Sequence, residues 1–107
     1  MKIKGEFYLE KYSNSFKELE FVHSPYVTAV STEKIIFQAV YFMEIPNYIV
    51  DPEIIEGNEE DRKLIEEKLK NTYQIMWGIE KLFIIKTLGR KFYIGSGNCK
   101  IREINNR

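Results

Sequence analysis

Few side chains in this sequence have the chemistry of a catalytic group, and their spacing limits what they can do. His23 is the only histidine. It stands beside Ser24-Pro25 at the expected end of a strand. A metal-independent ribonuclease could use it for general acid–base work with Tyr26 or a lysine from the basic face of the C-terminal strands. A lone histidine at a strand end reads first as a hydrogen-bonded structural residue. Cys99 is the only cysteine, so no disulfide forms within the chain. Lys100 would lower its pKa slightly, but no second histidine is there to activate it, and a structural thiol flanking a turn is expected. Gly95-Ser96-Gly97 lacks the spacing of a nucleophile elbow. No phosphate-cradling glycine loop, dinucleotide fingerprint, Cys pair or calcium loop occurs, so neither metal nor cofactor is expected.

Charge is better organised than catalytic chemistry. The formal net charge is zero, yet residues 44–68 carry nine acids and three bases, whereas residues 80–107 carry seven bases and two acids. If glycine-containing turns at Gly89-Arg90 and Gly97-Asn98 fold 82–104 into a meander, Lys86 lies opposite Tyr93 and Tyr93 opposite Arg102. Lys86, Lys91, Tyr93, Lys100 and Arg102 then share one sheet face, with Arg90 at its rim. Such a face suits a nucleic-acid backbone, with Tyr93 stacking on a base, or it is a solvated face paired with the acidic stretch. On the acidic side Glu44, Asp51, Glu53, Glu56, Glu59, Glu60 and Asp61 suit a basic partner surface. The last three are equally explained by the positive end of a helix dipole.

The elements that must position these groups follow from periodicity. Lys2 to Tyr12 alternates, with Ile3, Gly5, Phe7 and Leu9 on one side and charged residues on the other, which is a half-buried strand. After the turn cluster Ser13-Asn14-Ser15, Leu19, Phe21 and His23 alternate with Glu18, Glu20 and Val22 in a second strand that completes a hairpin. Val27 to Met43 reads either as a long strand or as a helix capped by Ser31 or Thr32. A stripe of Ile36, Ala39, Val40 and Met43 favours a helix over 32–44. Pro46 to Gly57 reads as loop. The clearest element is a helix from Asn58 to Trp77, capped by Asn58 and stopped by Gly78, with Leu64, Ile65, Leu69, Thr72, Tyr73 and Met76 on its apolar stripe. Its exposed face offers the pairs Arg62–Glu66, Lys63–Glu67 and Glu66–Lys70. Strands over Leu82–Thr87, Lys91–Gly95 and Cys99–Ile104 follow, with Phe83, Ile85, Phe92, Ile94 and Ile101 facing the core.

The expected architecture is therefore one α+β domain, an antiparallel sheet of N-terminal hairpin and C-terminal meander packed on one long amphipathic helix. Its 107 residues, 44% of them hydrophobic, suffice for a core without staples. The longest mostly apolar run, Ile35 to Met43, is too short to span a bilayer, so no membrane role and a cytoplasmic location are expected. Tyr8, Tyr12, Tyr26, Tyr41 and Tyr48 exceed what a core needs, and tyrosine is enriched in interfaces. The favoured reading is a non-enzymatic module that binds a partner protein or a second copy. Fifteen Ile and twelve Lys beside two Ala indicate AT-rich coding and suit an accessory protein of a virus or mobile element, such as an inhibitor of a host factor. A nucleic-acid binder is the alternative, and the ribonuclease a distant third.

Overall fold

A computed structural model describes the backbone of residues 1–13, 17–23 and 31–105; the side chains of residues 31, 32 and 103–105 fall outside that description. The turn residues Asn14 and Ser15, together with Ser24, Pro25, Tyr26 and the start of the ambiguous segment, thus lie outside the described residues.

The alternating N-terminal stretches form the expected hairpin of β1 (Glu6–Ser13) and β2 (Glu18–His23), with Leu9 opposite Phe21 and Tyr12 opposite Leu19. The helix expected over 32–44 is replaced by two strands, β3 (Ser31–Gln38) and β4 (Phe42–Glu44). Ile35, Ile36 and Phe37 are all buried, and three consecutive buried residues, two of them β-branched, suit a strand covered on both faces. Between β3 and β4 the chain turns a corner at Ala39, whose φ is 55°. The 46–57 stretch is likewise not all loop: it contains β5 (Tyr48–Val50) and β6 (Glu53–Glu56).

Helix α1 runs from Glu59 to Leu69. Its start is as expected: Asn58 Oδ1 accepts from the Asp61 amide and Asp61 Oδ2 from the Asn58 amide, both at 2.9 Å, a reciprocal capping box. Its end is eight residues earlier than the pattern implies. Lys70 leaves the helical region and Asn71 takes the left-handed conformation, φ 70°, a stop that asparagine tolerates well. Thr72, Tyr73 and Met76 are therefore not on the helix.

The last three strands, β7 (Lys81–Thr87), β8 (Arg90–Ser96) and β9 (Asn98–Asn105), do not make the expected meander. β7 and β8 pair through a turn at Leu88-Gly89, both with positive φ, as a two-residue mirror-image turn requires. The register is thus shifted: Lys86 lies opposite Lys91 and Ile84 opposite Tyr93. No second reversal follows. Neither Gly97 nor Asn98 has positive φ. The Gly97 amide bonds Gln38 O at 2.8 Å, and buried Ser96 Oγ donates to Asn98 O at 3.0 Å. β9 runs on from β8 into another sheet and pairs with β3.

The result is a five-stranded antiparallel sheet, β5-β1-β2-β3-β9, and a four-stranded one, β4-β8-β7-β6. They are joined at two corners. The β3/β9 ladder continues as β4/β8, with one residue gained between the Gln38–Asn98 and Phe42–Gly95 pairs. The β1/β5 ladder continues through the Lys2–Glu53 bridge and the bonds of Ile3 N to Pro52 O and Ile54 N to Met1 O. Strands that switch sheets in this way make the corners of an orthogonal sandwich. Following the pairings round, hydrogen bonding closes into a ring. Its interior is the main core, containing Phe7, Leu19, Phe21, Ile35, Phe37, Ile49, Ile54, Phe83, Ile85 and Ile94. The Phe37 and Phe83 rings meet edge to face across it at 5.8 Å.

A second, smaller core lies outside the ring. Leu82 and Ile84 of β7 and Ile65 of α1 are buried but stand apart from the inner cluster. Helix α1 lies over the outer face of the four-stranded sheet, its start against Leu82 at Gly57 and its Lys68 bonded to Glu44 of β4 at 2.9 Å. No helix among the described residues is long and apolar enough to cross a membrane.

Candidate interaction surfaces

The single basic face expected from the sequence is not formed. Lys86, Lys91 and Tyr93 do share a face, but it is the one that carries α1, and Tyr93 is half-buried there. Arg90 lies opposite Thr87 and so alternates to the inner side, at the tip of the hairpin. Lys100 and Arg102 went with β9 to the outer face of the five-stranded sheet, opposite Ile36 and Lys34. The cause is the sheet switch at Gly97: a strand that continues instead of reversing takes its side chains to another layer.

The acidic residues are largely engaged. Glu53 approaches both Lys86 and Lys2, at 4.0 and 3.9 Å, Glu56 approaches Lys81 at 3.6 Å, and Glu44 holds Lys68. Asp61 serves the helix cap. Asp51 Oδ1 accepts the Gly5 amide at 2.8 Å at the second corner. Glu59 and Glu60 stand exposed in the first helical turn. The 44–68 acids and the cations of β7 are thus in part each other's partners, through exposed pairs worth about 0–1 kcal/mol each. Of the basic set, Arg90, Lys91, Lys100 and Arg102 make no ion pair among the described residues.

The two groups with nucleophile or base chemistry are placed for packing. The His23 ring lies 4.2 Å from the Phe7 ring, and its Nδ1 is buried with no hydrogen-bond partner. No acid or tyrosine is arranged around it among the described residues. Cys99 is largely buried opposite Phe37, and burial pushes its thiol up to about 12. A thiol that keeps its proton at neutral pH is a poor nucleophile.

The surface the sequence did not reveal is the connection 70–80 between α1 and β7. It is braced from several sides. Tyr73 stacks on Tyr41, centroids 5.3 Å apart and 7° from parallel, and Tyr41 Oη donates to Lys81 O at 2.9 Å. Burial, then the charge of Glu80, holds the Tyr41 hydroxyl above its ordinary pKa. Tyr73 Oη donates to Glu80, which raises its own pKa. Glu80 also accepts the Met76 amide at 2.9 Å. Trp77 Nε1 donates to Glu66 at 2.9 Å, under the Arg62 guanidinium 5.0 Å from its ring centre. Arg62 and Glu66 thus serve Trp77 instead of each other. From this scaffold Met76 and Ile79 project 61% and 72% exposed, with Tyr73 beside them. The signal in the sequence was Ile75-Met76-Trp77-Gly78-Ile79, where apolar residues are nearly consecutive instead of three or four apart.

Two further features line the surface. Pro46, Tyr48, Leu88, Arg90 and Phe92 border a shallow cleft beside the β7–β8 tip. β9, eight residues long, pairs with β3 on one side and with no described residue on the other. The chain matches no protein-family model, no curated protein and no solved structure.

Proposed function

We propose that this protein works by binding another protein, and that its docking surface centres on Tyr73, Met76, Trp77 and Ile79. The observation that carries this reading is the exposure of Met76 and Ile79 on a connection fixed by at least three side-chain hydrogen bonds. Apolar groups held rigidly in water gain from burial, about 25 cal/mol per Å², and lose little entropy on docking because their support is already ordered. The AT-rich composition agrees with an accessory protein of a virus or mobile element acting on a host protein. The nucleic-acid alternative draws support from the hairpin tip alone, where Arg90 and Lys91 make no ion pair among the described residues; two phosphate contacts give only a weak salt dependence.

The test places a photoreactive amino acid at position 79 in cells of the source organism, with the Met76→Lys change as control. A defined protein cross-linked at 79, reconstituted with the purified chain and lost in Met76→Lys but not in Leu88→Lys, supports the reading. A protein that stays monomeric and yields no such complex sinks it.

A further inference from the structure

On the side away from β3, β9 pairs with no described strand. In an antiparallel strand alternate residues point their N–H and C=O to the two sides. Half of the backbone groups of Asn98–Asn105 serve β3, and the other half meet no described backbone partner. Side chains alternate in the other direction: Lys100 and Arg102 stand on the outer face, whereas Cys99 and Ile101, both incompletely buried, stand on the inner one. An unpaired edge of this length is a template for one more strand, and strand addition takes affinity from the main chain and specificity from alternate side chains.

The charges decide which strand. Two copies joined edge to edge about a two-fold axis keep outer residues opposite outer residues. The centred registers then set Lys100 against Arg102 of the other copy, Arg102 against its own equivalent, or Lys100 against its own equivalent. Like charges directly opposite are destabilising, so β9 is guarded against pairing with itself. Among the described residues, no acid of a neighbouring strand pairs with these cations, and Glu20 holds Lys34, which lies opposite Arg102, at 3.3 Å.

From an edge that no described strand covers, the cations two residues apart and the apolar side chains between them, we infer that β9 accepts an extended segment of a partner protein whose residues alternate acidic and apolar. The acids face Lys100 and Arg102; the apolar residues extend the core layer beside Cys99 and Ile101. This rests on the protein-binding reading above but uses a separate surface.

The probes are capped peptides of four Glu-Val repeats and of four Lys-Val repeats, each titrated into the whole isotope-labelled protein. The acidic peptide is expected to shift the amide signals of β9, to protect alternate β9 amides from exchange, and to bind at least tenfold tighter than the basic one. Methylating the peptide nitrogens along one edge removes binding, because the added strand can no longer donate. Arg102→Glu reverses the preference, and Lys100→Glu does the same if the first variant fails to fold. Equal binding of both peptides, shifts mapping away from β9, or a dimer formed through β9 overturns the inference. Met76→Lys leaves peptide binding unchanged. Loss of the 76–79 complex with intact peptide binding therefore strikes the docking surface alone, and the reverse result strikes β9 alone.

Discussion

Replacing Gly95 by Ala would set a methyl group closer than 3.0 Å to three carbons of the Tyr41 ring. The ring has little freedom to yield. Its hydroxyl is tied to Lys81 O at 2.9 Å and its other face is stacked on Tyr73. Two responses are open. The strand can shift to admit the methyl, and overpacking of this kind costs about 1–3 kcal/mol. Alternatively the ring is expelled, which gives up a hydrogen bond of about 1 kcal/mol and a stack of about 1 kcal/mol, along with the ring's own burial. The cheaper route, the strand shift, sets the loss at about 1–3 kcal/mol. Urea unfolding, followed by far-ultraviolet circular dichroism and by Trp77 fluorescence, reads this as a midpoint lowered by about 0.7–2 M for a slope near 1.5 kcal/mol/M. The decisive measurement is a cycle with Tyr41→Ala. Without the ring the methyl has room, so Gly95→Ala in that background is expected to cost less than about 0.5 kcal/mol. Gly97→Ala is a nearby control, since the nearest atom to its added methyl is Ala39 Cβ at 3.4 Å. The reasoning is refuted if Gly95→Ala costs the same in both backgrounds, or costs nothing in the parent protein.

Two further outcomes follow from backbone strain and from burial. Leu88 occupies the left-handed region at φ 50° with its side chain in water, so Leu88→Asn is expected to stabilise by about 0.5–1 kcal/mol; an unchanged or lowered urea midpoint contradicts the turn geometry. The Cys99 thiol is raised to about 12 by burial, against about 8.5 in an unfolded chain. Below about pH 8.5 both states keep the proton and this contribution is fully present. Above it the unfolded chain loses its proton first, so stability falls by about 1.4 kcal/mol per pH unit until the folded thiol also titrates. Tyr41, also raised by burial, acts in the same direction at higher pH. Stability of Cys99→Ala measured from roughly pH 9 to 11 should fall less steeply than that of the parent; parallel curves would place the thiol in water.

Much of the local structure was legible in the sequence. The alternation of Phe7 and Leu9, and of Leu19 and Phe21, has period two over both strands, and every apolar member of that set faces the inner core, fully or in part. Asn58 followed by three acids marks a helix start from either side of its first turn, because capping is satisfied within four residues. The inward set Phe83, Ile85, Phe92, Ile94 and Ile101 was also readable, since alternation survives a shift of register by whole pairs. In contrast, Thr72, Tyr73 and Met76 fit a helical stripe by spacing alone, and the helix stops before them because Tyr73 and Trp77 find partners that helical spacing does not supply: Tyr41 on another element, Glu80 seven residues from Tyr73 and Glu66 eleven residues from Trp77.

The candidate surfaces divide in the same manner. The sequence by itself determined which residues carry charge, that no Cys pair or His pair exists, and that α and β elements both occur, because composition and short-range periodicity need no partner. Only the tertiary structure decided that β3 and β9 each bend from one sheet into the other. That choice scattered the cations, buried Ile84 and Leu82 on the face that carries α1, and left β9 with no described strand on its far side. Its physical origin is long-range: a strand such as 98–105 has the same local preference beside β8 or beside β3, and the choice is made by which neighbour closes the ring and buries both Phe37 and Phe83 in one interior.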